Sequence, residues 1–142
     1  MARYTTEETE DKHSSILQMQ NLQMDAAFAI GAEAGNVINV GIQLKEDKSG
    51  NDLAARASVR MYLSDDANGD NVVATAPSGA VAIGADGVLH DIGGGTKKVF
   101  MLVSEADGDI DVNITEAGAK TLYMVLVMPN GRLIPSGAIT FV

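Results

Sequence analysis

The sequence predicts an all-β sandwich over residues 37–142, and three observations carry that prediction. Apolar residues recur at every second position in short runs. Turn residues interrupt those runs about every 8–12 residues, the spacing of sandwich strands. The chain has 15 glycines, several placed in Asn68-Gly69, Asp86-Gly87, Asp107-Gly108 and Asn130-Gly131 pairs that suit tight reversals.

The strands follow in order. Val37-Ile38-Asn39-Val40-Gly41-Ile42-Gln43-Leu44 alternates from Val40 onward and is turned by Glu46-Asp47-Lys48-Ser49-Gly50-Asn51. Leu53 to Ser64 reads as a second strand. Ala55, Ala57, Val59, Met61 and Leu63 line one face, and Arg56, Ser58, Arg60 and Tyr62 line a wet one. Beyond the Asp65–Asp70 loop, Val72 to Thr75 and Ala80 to Ile83 read as short strands separated by Pro77-Ser78-Gly79. Val88 to Ile92 follows, then the glycine run at 93–95. Lys98 to Ser104 is apolar at both phases and is expected to be covered on both faces. Asp109 to Thr115 alternates Ile110, Val112 and Ile114 against polar residues. Leu122 to Met128 is the most apolar run, Pro129 to Arg132 a turn, and Ala138 to Val142 a final strand. This period fits an immunoglobulin-like β-sandwich, with the jelly roll as the alternative sharing it.

Residues 1–36 differ in texture and are expected to form an N-terminal arm outside the sandwich, which is expected to fold without residues 1–30. Read at helical spacing, Leu17, Met24 and Phe28 share a face, with Asn21 in the seam. Read at period two, Leu22, Met24, Ala26, Phe28 and Ile30 alternate with Gln23, Asp25, Ala27 and Ala29. Both an extended arm and a short helix stay open. Leu17, Met19, Leu22, Met24, Phe28 and Ile30 either pack on the domain or dock on a partner.

Composition narrows the function classes. The 142 residues allow one domain with its own core. Cysteine is absent, which removes disulfides and thiolate metal sites. The net charge of −9 and scattered basic residues oppose nucleic-acid binding. No apolar run approaches the roughly 20 residues of a membrane helix. The first residues carry no secretion signal, so the chain reads as a complete product made in the cytoplasm.

One stretch is more specific. Ala106-Asp107-Gly108 opens the Asp109–Thr115 strand, and Glu116-Ala117-Gly118 leads into Thr121-Leu122-Tyr123-Met124-Val125-Leu126-Val127. Pro129-Asn130-Gly131-Arg132 turns the chain, which closes on Ile139-Thr140-Phe141-Val142. This resembles the C-terminal half of bacterial and phage Ig-like domains. The whole sequence also resembles small accessory proteins of tailed-bacteriophage virions, of the capsid decoration or cement type. That resemblance implies a structural virion protein, made in the host cytoplasm, stabilising the outer capsid surface. Its partner would be the major capsid protein or another virion protein, and a homo-oligomer is allowed. The chain departs from antibody-type domains in lacking their Trp and Cys pair, and it adds the N-terminal arm.

No catalytic constellation is recognisable. His13 and His90 stand apart from any nucleophile or ligand set. Gly93-Gly94-Gly95-Thr96-Lys97-Lys98 lacks the spacing of a phosphate loop. Asp66, Asn68 and Asp70 begin like a calcium loop, but Asn71 and Pro77 stand where Gly and the bidentate Glu belong. Asp107, Asp109 and Asp111 put three carboxylates at period two. Both acidic groups are incomplete metal candidates, and the reading is a non-enzyme without cofactor. The alternative is a receptor- or carbohydrate-binding module of a tail fibre or adhesin.

Overall fold

A computed structural model describes residues 24–46 and 49–142. Ten strands occur among them, and no helix. Their order is β1 (Asp25–Ile30), β2 (Val37–Lys45), β3 (Ser58–Ser64), β4 (Val81–Ile83) and β5 (Val88–Asp91), then β6 (Val99–Val103), β7 (Asp109–Thr115), β8 (Lys120–Val127), β9 (Leu133–Pro135) and β10 (Ile139–Phe141).

Two antiparallel sheets result. The first runs β1-β2-β7-β4 and the second β10-β8-β3-β6-β5, with β9 also paired to β8. The period-two alternation explains the layering, because each strand can bury only one of its faces. Ile38, Val40, Ile42 and Leu44 of β2 face inward with Ile110, Val112 and Ile114 of β7. Opposite them lie Val59, Met61 and Leu63 of β3, Leu122, Met124 and Leu126 of β8, and Phe100 and Leu102 of β6. These side chains form one cluster, so the molecule is an immunoglobulin-like β-sandwich.

The sheet begins earlier than Val37. Asp25–Ile30 pairs with β2 over its whole length, Phe28 opposite Ile42 and Ile30 opposite Val40. The period-two reading of this segment holds, and its physical reason is burial. Met24 is 5% exposed inside the core, while Ala26 and Phe28 pack against it. Gly31 N–H to Asn39 O (2.8 Å) extends the pairing, and Gly35 and Asn36 make the reversal at positive φ.

Other elements are shorter than the pattern suggested. Leu53 to Ala57 is not part of β3, and Val72 to Thr75 is not a strand. Lysines hold the latter segment instead. Lys98 Nζ donates to Ala74 O (2.8 Å) and Lys120 Nζ to Thr75 O and Ala76 O. Lys97 Nζ donates to Pro77 O (2.7 Å) and Gly79 O (2.9 Å). These carbonyls thus find side-chain donors in place of ladder partners along the irregular crossover from β3 to β4. Strand β6 buries Phe100 and Leu102 but leaves Val99, Met101 and Val103 half-exposed, so it is covered on one face only. Strand β9 follows the Pro129–Arg132 turn. Ser136 joins it to β10, its Oγ accepting the Met124 N–H (2.9 Å). The register then slips by one residue, from Val125 opposite Pro135 to Leu122 opposite Ile139, which marks a β-bulge.

Candidate functional site

The outer face of the second sheet is built by its register. Arg60 on β3 lies opposite Met101 on β6 and Val127 on β8; Met101 in turn faces His90 on β5, and Val127 faces Leu133 on β9. A neighbouring row pairs Ser58 with Val103 and Val103 with Val88. The result is a largely apolar band across five strands, broken at β3 by Ser58 and Arg60 and at β5 by His90, with Val88 and Leu133 each 42% exposed at its two sides. A groove of about 420 Å³ lies within it, walled by Ser58, Arg60, Met101, Val127, Met128 and Pro129.

Arg60 is the unusual member. Among the described residues, Lys45, Arg56 and Arg132 are paired with carboxylates, and Lys97, Lys98 and Lys120 with carbonyls. Arg60 alone of these cations has neither a hydrogen bond nor an ion pair. In a chain of net charge −9, this guanidinium stands exposed on the outer face of the sheet with its fork of donors open.

One end of this face is roofed by the Asp65–Asp70 loop. Tyr62 Oη donates to Gly69 O at 2.5 Å, and the loop covers Val125, which is fully buried. Burial, and then the nearby Asp70 charge, push the Tyr62 phenol above its ordinary pKa. Gly69 sits at φ +77°, and a Cβ there would stand 2.9 Å from Val125 Cγ2. Gly69→Ala is therefore expected to cost at least about 2 kcal/mol, and Tyr62→Phe about 1 kcal/mol through the lost hydrogen bond. Urea unfolding of the two variants checks both, and the reverse ranking would show that the loop is not closely packed there.

The acidic candidates serve loop geometry. Asp66 Oδ2 accepts the Asn68 and Asp70 N–H groups, and Ser64 Oγ donates to Asn71 Oδ1 (2.8 Å). Asp107 Oδ1 accepts the Asp109 N–H. Asp111 Oδ1 accepts the Ala85 and Asp86 N–H groups at 2.6 and 2.8 Å, and its Oδ2 accepts from Asn39. Asp109 has its pKa raised by burial, and then by the charges of Asp86, Asp107 and Asp111. Among the described residues no group of three His, Cys, Asp or Glu side chains is arranged to hold a metal ion. In the glycine-rich loop, Asp91 fills the space with its own carboxylate, accepting the Gly93 and Lys97 N–H groups at 2.9 Å.

Of the arm residues, Met24 lies in the core, Phe28 is half-buried against it and Ile30 is 36% exposed. Met24 is thus unavailable to a partner. Leu17, Met19 and Leu22 lie outside the described residues, as does His13. Sequence reasoning missed Glu116, the one buried charged side chain among the described residues. Its carboxylate accepts from Ser78 N–H (3.1 Å) and Gly118 N–H (3.0 Å) and pairs with Lys120 Nζ (3.1 Å). Those contacts, the Gly118 N–H foremost, hold its pKa down at about 2 against the opposing effect of burial. A signal was present: Glu116 continues the inward phase of Ile110, Val112 and Ile114. Arg60 left no comparable mark, because its lack of a partner depends on neighbours distant in sequence.

Comparisons with protein-family models and with curated proteins found no match.

Proposed function

We propose that this chain is a structural virion protein, a capsid decoration or cement subunit that binds the major capsid protein on the outer surface of the shell. The observation that carries this reading is the apolar band on the outer face of the second sheet, with the unpaired Arg60 at its centre. An apolar centre with one Arg anchor is the composition of a protein-binding hot spot. The resemblance of the sequence to tailed-phage accessory proteins gives the partner its class. Leu17, Met19 and Leu22 remain partner contacts in this reading. The protein is then made in the host cytoplasm and resides in the virion. The receptor- or carbohydrate-binding reading stands second, since the chain has only three Tyr, three Phe and no Trp to offer for sugar stacking.

Co-sedimentation with undecorated capsids tests the proposal. Met101→Glu with Val127→Glu puts two charges into the band without touching the inner faces. The double variant is expected to fold as wild type by circular dichroism and to lose affinity by about a hundredfold or more. Unchanged binding moves the contact elsewhere, and wild-type protein that fails to bind any capsid rejects the reading.

A further inference from the structure

We infer that Asn130 is a self-modification site, at which the side-chain amide converts spontaneously to an aspartyl or isoaspartyl carboxylate in the folded protein. The structure singles it out from the Asn-Gly and Asp-Gly turns of the chain.

The chemistry needs a side-chain carbonyl carbon that the next backbone nitrogen can reach, and an intervening peptide free to rotate. Glycine suits it best, because no Cβ shields its nitrogen and its backbone is the least restricted. The Gly131 nitrogen attacks Asn130 Cγ, gives up its proton and expels the side-chain nitrogen as ammonia, closing a succinimide ring. Water then opens the ring at one of its two carbonyls. The sum is Asn plus water giving Asp or isoaspartate plus ammonia, with no oxidant, reductant or cofactor.

Asn68-Gly69 and Asn130-Gly131 both carry the amide that reacts in this way, and they sit in the same local turn. Gly69 N–H donates to Asp66 O (3.0 Å) and Gly131 N–H to Met128 O (2.8 Å). In each, one turn bond must open before the nitrogen can attack.

Their surroundings differ. Gly69 is buried, and a Cβ there would stand 2.9 Å from Val125 Cγ2. Its carbonyl is held by Tyr62 Oη, and Asp66 Oδ2 accepts the N–H groups on both sides of it, from Asn68 and Asp70. Opening that turn breaks all of these contacts together. Gly131 is exposed, and nothing lies within 4 Å of where its Cβ would be. Asn130 is exposed as well, and its Oδ1 accepts the Arg132 N–H (3.0 Å), which draws electron density from the carbon under attack. Local opening is therefore far cheaper at Asn130. The Asp-Gly turns are closed in like Asn68-Gly69, with Val103 O 2.9 Å from a Cβ at Gly87 and Leu53 O 2.8 Å from one at Gly108.

The site is also placed to matter. Pro129 and Gly131 line the groove, and Arg132 of the same turn pairs with Asp25 (3.7 Å). Each event adds a negative charge at the groove's rim, beside the residue that holds the start of β1. The inference does not rest on the virion reading.

Ageing the full chain in oxygen-18 water at mildly alkaline pH tests it, since the new carboxyl keeps one heavy oxygen. After digestion with trypsin in ordinary water, peptide 121–132 contains Asn130 as its single Asn. Peptide 61–97 contains Asn68, together with Asn71, whose next nitrogen is shielded by the branched Val72. In the folded protein, label is expected to enter peptide 121–132 several-fold faster than peptide 61–97. In urea the two rates should draw together, because the dipeptides are the same. Tyr62→Phe should speed labelling of peptide 61–97 and leave peptide 121–132 unchanged. Equal rates in the folded protein, faster labelling of peptide 61–97, or no label at Asn130 would each overturn the inference. A ratio that persists unchanged in urea overturns its structural basis, by placing the difference in flanking sequence.

Discussion

Deleting residues 1–30 is expected to cost the protein roughly 10–15 °C of thermal stability, or to leave it aggregated. The deletion removes the edge strand β1 together with Met24, which is 5% exposed in the core. Burial of a methionine of this kind is worth about 1.5–3 kcal/mol, and the half-buried Phe28 and Ala26 bring the loss to about 3–5 kcal/mol. A second consequence concerns β2. Its nine residues, Val37–Lys45, would become an open, strongly apolar sheet edge, the arrangement that promotes edge-to-edge association. Circular dichroism melting and size-exclusion chromatography of the truncated chain measure both effects. Met24→Ala in the full chain gives an independent reading, expected at about 2–3 kcal/mol. A truncated chain that melts like wild type would show that β1 is an appendage and that the sandwich begins at Val37.

Replacing Glu116 by Gln is expected to destabilise the protein by about 2–3 kcal/mol at neutral pH and by little near pH 2. The carboxylate is buried and holds two backbone N–H groups and the Lys120 ammonium. Its pKa falls from 4.5 to about 2 on folding, so the folded state favours the ionised form. That stabilisation is fully present above pH ~4.5 and is lost as pH falls towards 2, for a total on the order of 3 kcal/mol. Gln keeps the volume but removes the negative charge facing Lys120, leaving that ammonium only its Thr75 and Ala76 carbonyl partners. Asp109 acts in the opposite sense. Its raised pKa penalises the folded state once the carboxyl ionises, and acidification relieves that penalty. The wild-type profile alone therefore mixes both groups, whereas the difference between wild type and Glu116→Gln isolates one. Urea midpoints at pH 7, 4 and 2.5 supply the measurement. Parallel profiles for the two proteins would remove Glu116 from the account.

How far the sequence reached is best judged at particular residues. The alternation of Val40, Ile42 and Leu44, of Val59, Met61 and Leu63, and of Ile110, Val112 and Ile114 identified the inward faces, because only one phase of each strand is apolar. The four Asn-Gly and Asp-Gly pairs named as turns all place their glycine at φ between +77° and +98°. The short apolar run Val72–Thr75 misled, since its backbone is claimed by Lys98 and Lys120, contacts 24 and 45 residues away in the chain. Leu22 to Ile30 was ambiguous for another reason: Ala, Met and Gln favour helix while the period favours a strand, and pairing with β2 decided it over Asp25–Ile30. The groove was less legible still. Met101, Val127 and Arg60 lie far apart in sequence, and only the β6-β3-β8 register brings them into one row. The wet character of the Arg60 face was readable, but its apolar neighbours come from strands whose outward phase resembled a second core.

The most direct test of the account is amide hydrogen exchange on the protein free and bound to undecorated capsids. The functional reading predicts new protection concentrated in β3, β6 and the β8–β9 turn, around Ser58, Arg60, Met101 and Val127, with the first sheet unchanged. Protection confined instead to the Asp65–Asp70 and Ala106–Asp109 loops, or to the outer side of β2 and β7, would contradict it.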